Sequence, residues 1–193
     1  RNVAGTASSI AQRLNKLERL LTRSSSFLDR LERVGIVTKD DALRYGLVGP
    51  IARASGSGRD LRTFLPYGGY EELLLSPVQE EEGDGYARLR VLFSEARESS
   101  RLLNDIAADL PSGDVCVPVE MRAGWALGWT EAPRGAAFHW VRIDDAGNVA
   151  EWRIIPPSFV NWHGFHLAAE GFAFQDFPII LATFGLSAAE NDR

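Results

Sequence analysis

The chain has 193 residues, 45% of them hydrophobic, enough to bury a sizeable core as one domain or as one domain with an appended subdomain. Disorder as the default state is thereby excluded. A net charge of −5, from 21 basic and 26 acidic side chains, with no concentrated basic stretch, argues against nucleic acid as a partner. Cys116 is the sole cysteine, which excludes an internal disulfide and any thiolate-rich metal or cluster site built from this chain alone, and gives no support for secretion. No apolar run reaches the ~18 residues of a membrane span; the nearest is Phe177 to Leu186, so membrane contact has to come through partners. The sequence opens on Arg1 and moves at once into helical pattern, without an initiator methionine or a signal-peptide layout, and we expect an N-terminal truncation.

From Thr6 to Glu32 the residues Ile10, Leu14, Leu17, Leu21, Ser24, Leu28 and Leu31 repeat at 4-3 spacing, which predicts one long amphipathic helix. Leu89, Leu92, Ala96, Ser99, Leu103, Ile106 and Leu110 repeat the same spacing up to Pro111-Ser112-Gly113, predicting a second long helix packed against the first. Both stripes read as core of a helical bundle rather than as a partner-binding coiled coil. Between them, Thr38-Lys39-Asp40-Asp41 has capping-box spacing and predicts a short helix ending at Gly46. The glycine-rich, polar segment from Gly49 to about Gly85 has no clear periodicity, and an aperiodic stretch of that length in a compact domain points to function.

After Cys116 the pattern changes. Ala136 to Ile143 and Val149 to Ile155, joined by Asp144-Asp145-Ala146-Gly147-Asn148, predict a β-hairpin, extended by Ala126 to Trp129. Pro156-Pro157-Ser158 breaks the strand, and Ser158 is placed to cap a helix through Trp162 and Phe165. The fold class is therefore α+β and mostly helical, a long-helix bundle with a small antiparallel sheet; a helical part covers residues 1–113, and the hairpin with C-terminal helices covers 114–193.

Few local motifs carry chemistry. His163 and His166 can share a helical face as metal ligands, but no nearby carboxylate or cysteine completes a familiar set. The glycines of Gly49 to Gly58 fit neither a dinucleotide fingerprint nor a phosphate loop, and no G-x-S-x-G elbow is present. Arg134, in Glu131-Ala132-Pro133-Arg134-Gly135, is a guanidinium on a rigid turn before a strand. It suits a buried polar or anionic group, or equally a carboxylate at a strand end.

Longer-range order is more specific. Gly49-Pro50, Arg53-Ala54-Ser55-Gly56, Asp60-Leu61-Arg62 and Pro66-Tyr67 through Tyr70 precede Gly83-Asp84 with Arg88, Arg90, Glu95 and Ser99 on the second long helix. Glu131 to Gly135, His139-Trp140, Pro157-Ser158 and Asn161 follow. From about Gly35 to Arg193 this order resembles the C-terminal half of the large subunit shared by [NiFe] hydrogenases and the D-type subunit of NADH:quinone oxidoreductase. The resemblance implies a hydrogenase large-subunit-like fold in which Pro133 and Arg134 form a canopy over the bimetallic centre and Pro157 and Ser158 approach its diatomic ligands.

The C-terminus departs from the hydrogenase pattern, because Ser187 and Glu190 stand where hydrogenases carry two cysteines, and a hydroxyl with a carboxylate cannot replace soft bridging thiolates. A [NiFe] centre is therefore not expected. The D-type subunits also lack those thiolates, end near Glu-x-Asp-Arg, and use the vacated region for quinone, which Glu190, Asp192 and Arg193 echo. Arg-Ala-Ser-Gly and Phe177-Pro178-Ile179-Ile180 lean toward membrane-bound hydrogenases.

The resemblance thus implies a subunit of a respiratory-type redox complex that passes electrons from a partner's iron-sulfur cluster to quinone. Arg53, Pro133, Arg134, Pro157, Ser158, Ser187, Glu190 and Asp192 are the expected cofactor-binding residues. It further implies an iron-sulfur small subunit and other membrane-associated subunits as partners, a cytoplasmic location peripheral to the membrane, and NAD contact only at the level of the whole complex. The alternative is a non-catalytic paralogue that docks partner subunits, which a closed, apolar cavity around Ser187 would favour.

Overall fold

The computed structural model describes residues 2–110, 112–114 and 116–192; Arg1, Pro111 and Arg193, which figure in the sequence reading, lie outside the described residues. Asn2 caps the first helix, α1 (Val3–Leu21), its side chain accepting from the Gly5 amide at 2.8 Å. The expected single helix to Glu32 is interrupted after Leu21. Thr22 turns its hydroxyl back onto the Glu18 carbonyl at 2.9 Å, and Ser24, the polar member of the stripe, caps a new short helix, α2 (Ser25–Leu28). A hydroxyl that can satisfy free amides competes with helix continuation at such a position.

Thr38 caps α3 (Lys39–Arg44) with its hydroxyl on the Asp41 amide at 3.1 Å, as the capping-box spacing predicts. The aperiodic segment holds two short helices, α4 (Gly49–Ala54), every residue of which is buried, and α5 (Leu61–Phe64). The second long helix is α6 (Gly85–Ala108), capped by Asp84, whose carboxylate accepts from the amides of Ala87 and Arg33, both at 2.7 Å.

α1 and α6 pack along each other, but only part of each expected stripe faces inward. The α1 positions turned inward include Ala4, Ala7 and Ala11 together with Leu14 and Leu21 of the stripe, whereas Ile10 and Leu17 are 48% and 46% exposed. Three small alanines permit close packing there, and the inward face is shared between them and the leucines Leu14 and Leu21. On α6 the buried residues are Gly85, Ala87, Arg88, Val91, Phe93, Ser100 and Leu102; Leu92, Leu103 and Ile106, with Leu110 just past its end, are exposed.

A three-stranded antiparallel sheet in the order β1-β2-β3 follows: β1 (Gly124–Ala132), β2 (Gly135–Ile143) and β3 (Val149–Ile155). Its hairpin matches the expectation, with Asp144 accepting from the Ala146 and Asn148 amides in the turn. The first strand is longer than Ala126 to Trp129, pairing with β2 from Gly124↔Ile143 to Ala132↔Gly135. That register leaves Pro133 and Arg134 as a two-residue turn.

The chain closes with α7 (Pro157–Ala169) and α8 (Phe177–Phe184). Pro156 occupies the cap of α7 and Pro157 its first turn, so Ser158 lies inside the helix rather than capping it. Proline's fixed φ and missing amide suit that first turn. The main core lies among α3, α4, α7 and α8, built on Val37, Leu47, Ile51, Phe165, Ile180 and Phe184. Phe165 meets Phe177 and Phe184 edge-on at 5.0 and 5.7 Å, a favourable geometry for the ring quadrupoles. Buried Arg88 ties this core to α6, donating to the carbonyls of Gly35 and Gly83 and to the Thr183 hydroxyl, with its guanidinium 4.5 Å above the Phe184 ring.

Candidate functional site

The Pro133–Arg134 turn sits directly on the N-terminus of α4. A Cβ on Gly135 (φ +128°) would lie 2.7 Å from the Gly49 nitrogen, and one on Gly49 (φ +67°) would lie 2.2 Å from the Arg134 carbonyl oxygen. Only glycine permits both the backbone angles and the approach. Asn161, buried on α7, fixes the junction: its Nδ2 donates to the carbonyls of Val48 and Arg134 at 3.2 and 3.4 Å, and its Oδ1 accepts from the Val48 amide at 3.0 Å.

Seated there, the Arg134 side chain reaches the C-terminal segment. Its Nε donates to the Gly185 carbonyl that ends α8, and its Nη1 pairs with Glu190 Oε1 at 3.0 Å. The other carboxylate oxygen of Glu190 accepts from the Ser158 amide at 3.1 Å, and the Ser158 hydroxyl accepts from the Ser187 amide at 3.0 Å. An anion at the amino end of α7 is favoured by the free amides and the helix dipole. Four of the expected residues, Arg134, Ser158, Ser187 and Glu190, thus form one hydrogen-bonded network, with buried Pro157 beside Ser158.

This network borders the largest of the described grooves, about 510 Å³, lined by Trp152, Arg153, Ile154, Pro156, Glu190 and Asp192. Asp192 therefore joins Glu190 in one wall. Pro133 faces elsewhere, lining a 350 Å³ groove together with Arg53. Neither Pro133 nor Arg53 is part of the Glu190 network.

Arg53 instead centres a buried ionic cluster. Its side chain is 1% exposed and pairs with Glu95 at 2.5 Å, Glu131 at 2.8 Å and Asp60 at 3.4 Å. Arg62 pairs with Asp60 at 2.6 Å. Asp60 also caps α5 through the Arg62 amide, while Glu131 Oε2 accepts from the Leu61 amide at 3.1 Å. Burial works against the Asp60 charge, but hydrogen bonds from Arg62 and the fields of Arg53 and Arg62 hold its carboxyl below the usual range. For Glu131 burial wins over the attraction of Arg53, and its carboxyl is raised. The Arg53 guanidinium, opposed by burial, is raised by Glu95 and Glu131. Of these five residues, sequence reasoning singled out only Arg53 as a site residue. The others come from positions 60 to 131, and no local spacing announces their meeting.

His163 and His166 are exposed on α7, beside Tyr45 and beside Trp162 and Phe165 respectively. Among the described residues, no group of three or more His, Cys, Asp or Glu is arranged to hold a metal ion. Ser187 and Glu190 offer a hydroxyl and a carboxylate where a thiolate-bridged nickel–iron centre calls for soft thiolate ligands. Both carboxylate oxygens of Glu190 are engaged, and the one thiol, Cys116, is exposed between α6 and β1.

The sequence that builds this α+β fold has clear relatives. The chain belongs to the family of the respiratory-chain NADH dehydrogenase 49 kDa subunit, whose model it matches over residues 1–123 and 116–193. It is 32% identical, over 84% of its length, to the carbon monoxide-induced hydrogenase of Rhodospirillum rubrum, covering 45% of that protein. It is 30% identical to a D-type subunit of the NADH-quinone oxidoreductase of Solibacter usitatus, across 94% of this chain and 50% of the relative. It is also 30% identical to the H-type subunit of the chloroplastic NAD(P)H-quinone oxidoreductase of Huperzia lucidula, across 94% and 53%. The chain spans about half the length of the curated relatives it matches. No described helix is long and apolar enough to cross a membrane.

Proposed function

We propose that residues 1–193 form the C-terminal part of a hydrogenase large-subunit-like domain, helical over 1–113 and hairpin plus helices over 114–193. In this reading it serves a respiratory-type redox complex and passes electrons from an iron-sulfur partner subunit to quinone, without a [NiFe] centre. The observation that carries the reading is the Arg134–Glu190–Ser158–Ser187 network, which stands where the hydrogenase pattern requires thiolates and borders an open groove. Trp152 and Ile154 offer flat and apolar walls for a quinone ring, and Arg153 a donor for a carbonyl oxygen, the mix expected of a small-molecule site. Arg134 keeps Nη2 unused by the network. Quinone reduction consumes two electrons and two protons, and positive charge beside the carbonyl oxygens favours the reduced anion that precedes protonation.

In the same reading Pro133 and Pro157 hold the turn and the helix start in place, Ser158 and Ser187 anchor the C-terminus, and Glu190 and Asp192 shape the polar wall. Arg53 braces the hairpin from beneath rather than touching the quinone. The protein then sits peripherally at the cytoplasmic side of a membrane, held there by partner subunits, and NAD is handled elsewhere in the complex. A docking-only paralogue calls for a closed, apolar cavity at Ser187; the neighbouring groove at Glu190 instead carries the charged side chains of Arg153, Glu190 and Asp192.

The test is Arg134→Met and Glu190→Gln in the full-length protein within its assembled complex, assayed with a short-chain quinone. A raised KM for quinone, with electron delivery to the iron-sulfur partner intact, is expected. An unchanged KM with normal assembly would refute the quinone reading. Loss of assembly alone would favour docking.

A further inference from the structure

The cluster around Arg53 carries more acid than base: Asp60, Glu95 and Glu131 against Arg53 and Arg62. Two of the three carboxylates have almost no solvent contact, with side-chain exposures of 1% for Asp60 and 3% for Glu131. An uncompensated charge in such a place is costly, and binding a proton is the usual relief. Asp60 is the least able to accept one, because Arg62 grips it through two nitrogens at 2.9 and 2.6 Å and Arg53 adds a third contact. Glu95 keeps 16% exposure and one oxygen outside the ion pair, so its charge is partly hydrated.

Glu131 is placed differently. It receives one guanidinium contact and one backbone amide, which leaves lone pairs free on both oxygens. It also stands in the walls of two cavities at once, a 220 Å³ one shared with Leu47, Asp60, Leu61 and Phe138, and the 350 Å³ groove shared with Arg53, Arg62, Tyr70 and Glu95. Around it, α4 contributes Arg53, the α5 region Asp60 and Arg62, the loop after α5 Tyr67, whose hydroxyl accepts from the Glu131 amide at 2.8 Å, and α6 Glu95.

We infer that this cluster is a proton-binding site, with Glu131 as the carboxylate that holds the proton and solvent in the two adjoining cavities as its exchange route. The step is simple transfer from hydronium: one O–H bond forms on Glu131, one breaks on the donor, and the cluster goes from a net charge of −1 to neutral. Burial raising the Glu131 carboxyl agrees with this. The inference stands whether or not the Glu190 groove takes a quinone.

The experiment is infrared spectroscopy of the full-length protein with ¹³C-labelled glutamate, titrated with pH. A protonated-carboxyl C=O band should persist to higher pH than that of the exposed glutamates. It should be lost in Glu131→Gln and kept in Glu95→Gln. The wild-type titration stands even if a variant fails to fold. Disappearance of the whole band together with the exposed glutamates, or its loss in Glu95→Gln with retention in Glu131→Gln, would overturn the assignment.

Discussion

Replacing Arg53 by methionine keeps much of the side chain's length and removes its charge. Asp60 and Glu131, at 1% and 3% side-chain exposure, and the more open Glu95 would then have only Arg62 as a counter-charge. Removing one partner of a buried ion pair costs about 3–5 kcal/mol, because the remaining charge stays desolvated. At about 2–4 °C per kcal/mol for a domain of this size, the Tm should fall by about 6–20 °C in thermal unfolding of the full-length protein. Arg142→Ala, which breaks a 3.8 Å surface contact with Glu151, is the control and should cost under about 1 kcal/mol.

The pH dependence gives a second reading of the same variant. Asp60 is held below its ordinary range in the folded protein, so its stabilising contribution is present above the unfolded-state value and is lost as pH falls through the folded one. Acidification toward pH 4 neutralises carboxylates that Arg53→Met leaves unpaired, whereas the wild type loses the Asp60 contribution only below the ordinary aspartate value of about 3.9. The stability gap between the two, from urea unfolding, should be largest near pH 7 and narrow toward pH 4. A gap no larger than that of Arg142→Ala, or one that widens with acid, would refute the account of buried carboxylates held by Arg53.

Asn161→Ala should cost about 1–3 kcal/mol in chemical denaturation, since it strips the Val48 amide and carbonyl of buried partners; a near-neutral effect would show that the junction is held by packing alone. Gly135→Ala should lower Tm and soluble yield sharply, with its Cβ 2.7 Å from the Gly49 nitrogen at a φ of +128°; an unchanged Tm would mean the turn is not seated on α4. Ser158→Ala removes the acceptor of the Ser187 amide and should speed hydrogen exchange at Ser187 while leaving Ile180 protected. Equal protection at Ser187 in both proteins would argue against the anchor.

Elements whose cause is local were legible in the sequence. The Thr38 cap and the hairpin with its Asp144–Asn148 turn both follow from spacings of a few residues. Two errors share a physical origin. The leucine stripes of α1 and α6 give helix but only part of the contact face, because Ala4, Ala7 and Ala11 share the inward side of α1 with Leu14 and Leu21 while Ile10 and Leu17 face solvent. Ser158 has a capping side chain, but Pro156 and Pro157 begin the helix earlier, and the buried hydroxyl serves Ser187 instead.

The candidate site divides in the same way. Residue order by itself identified Arg134, Ser158, Ser187 and Glu190 as belonging together, through family resemblance rather than chemistry. It could not show that Arg134 and Glu190 pair, or that Arg53 belongs to a different set of residues. Those facts depend on contacts across 56 positions for Arg134–Glu190 and 78 for Arg53–Glu131. Periodicity, capping and turn chemistry act within a few residues and so are written in the sequence. Which charges are buried together, and which of them is left needing a proton, is decided only when distant segments exclude the same water.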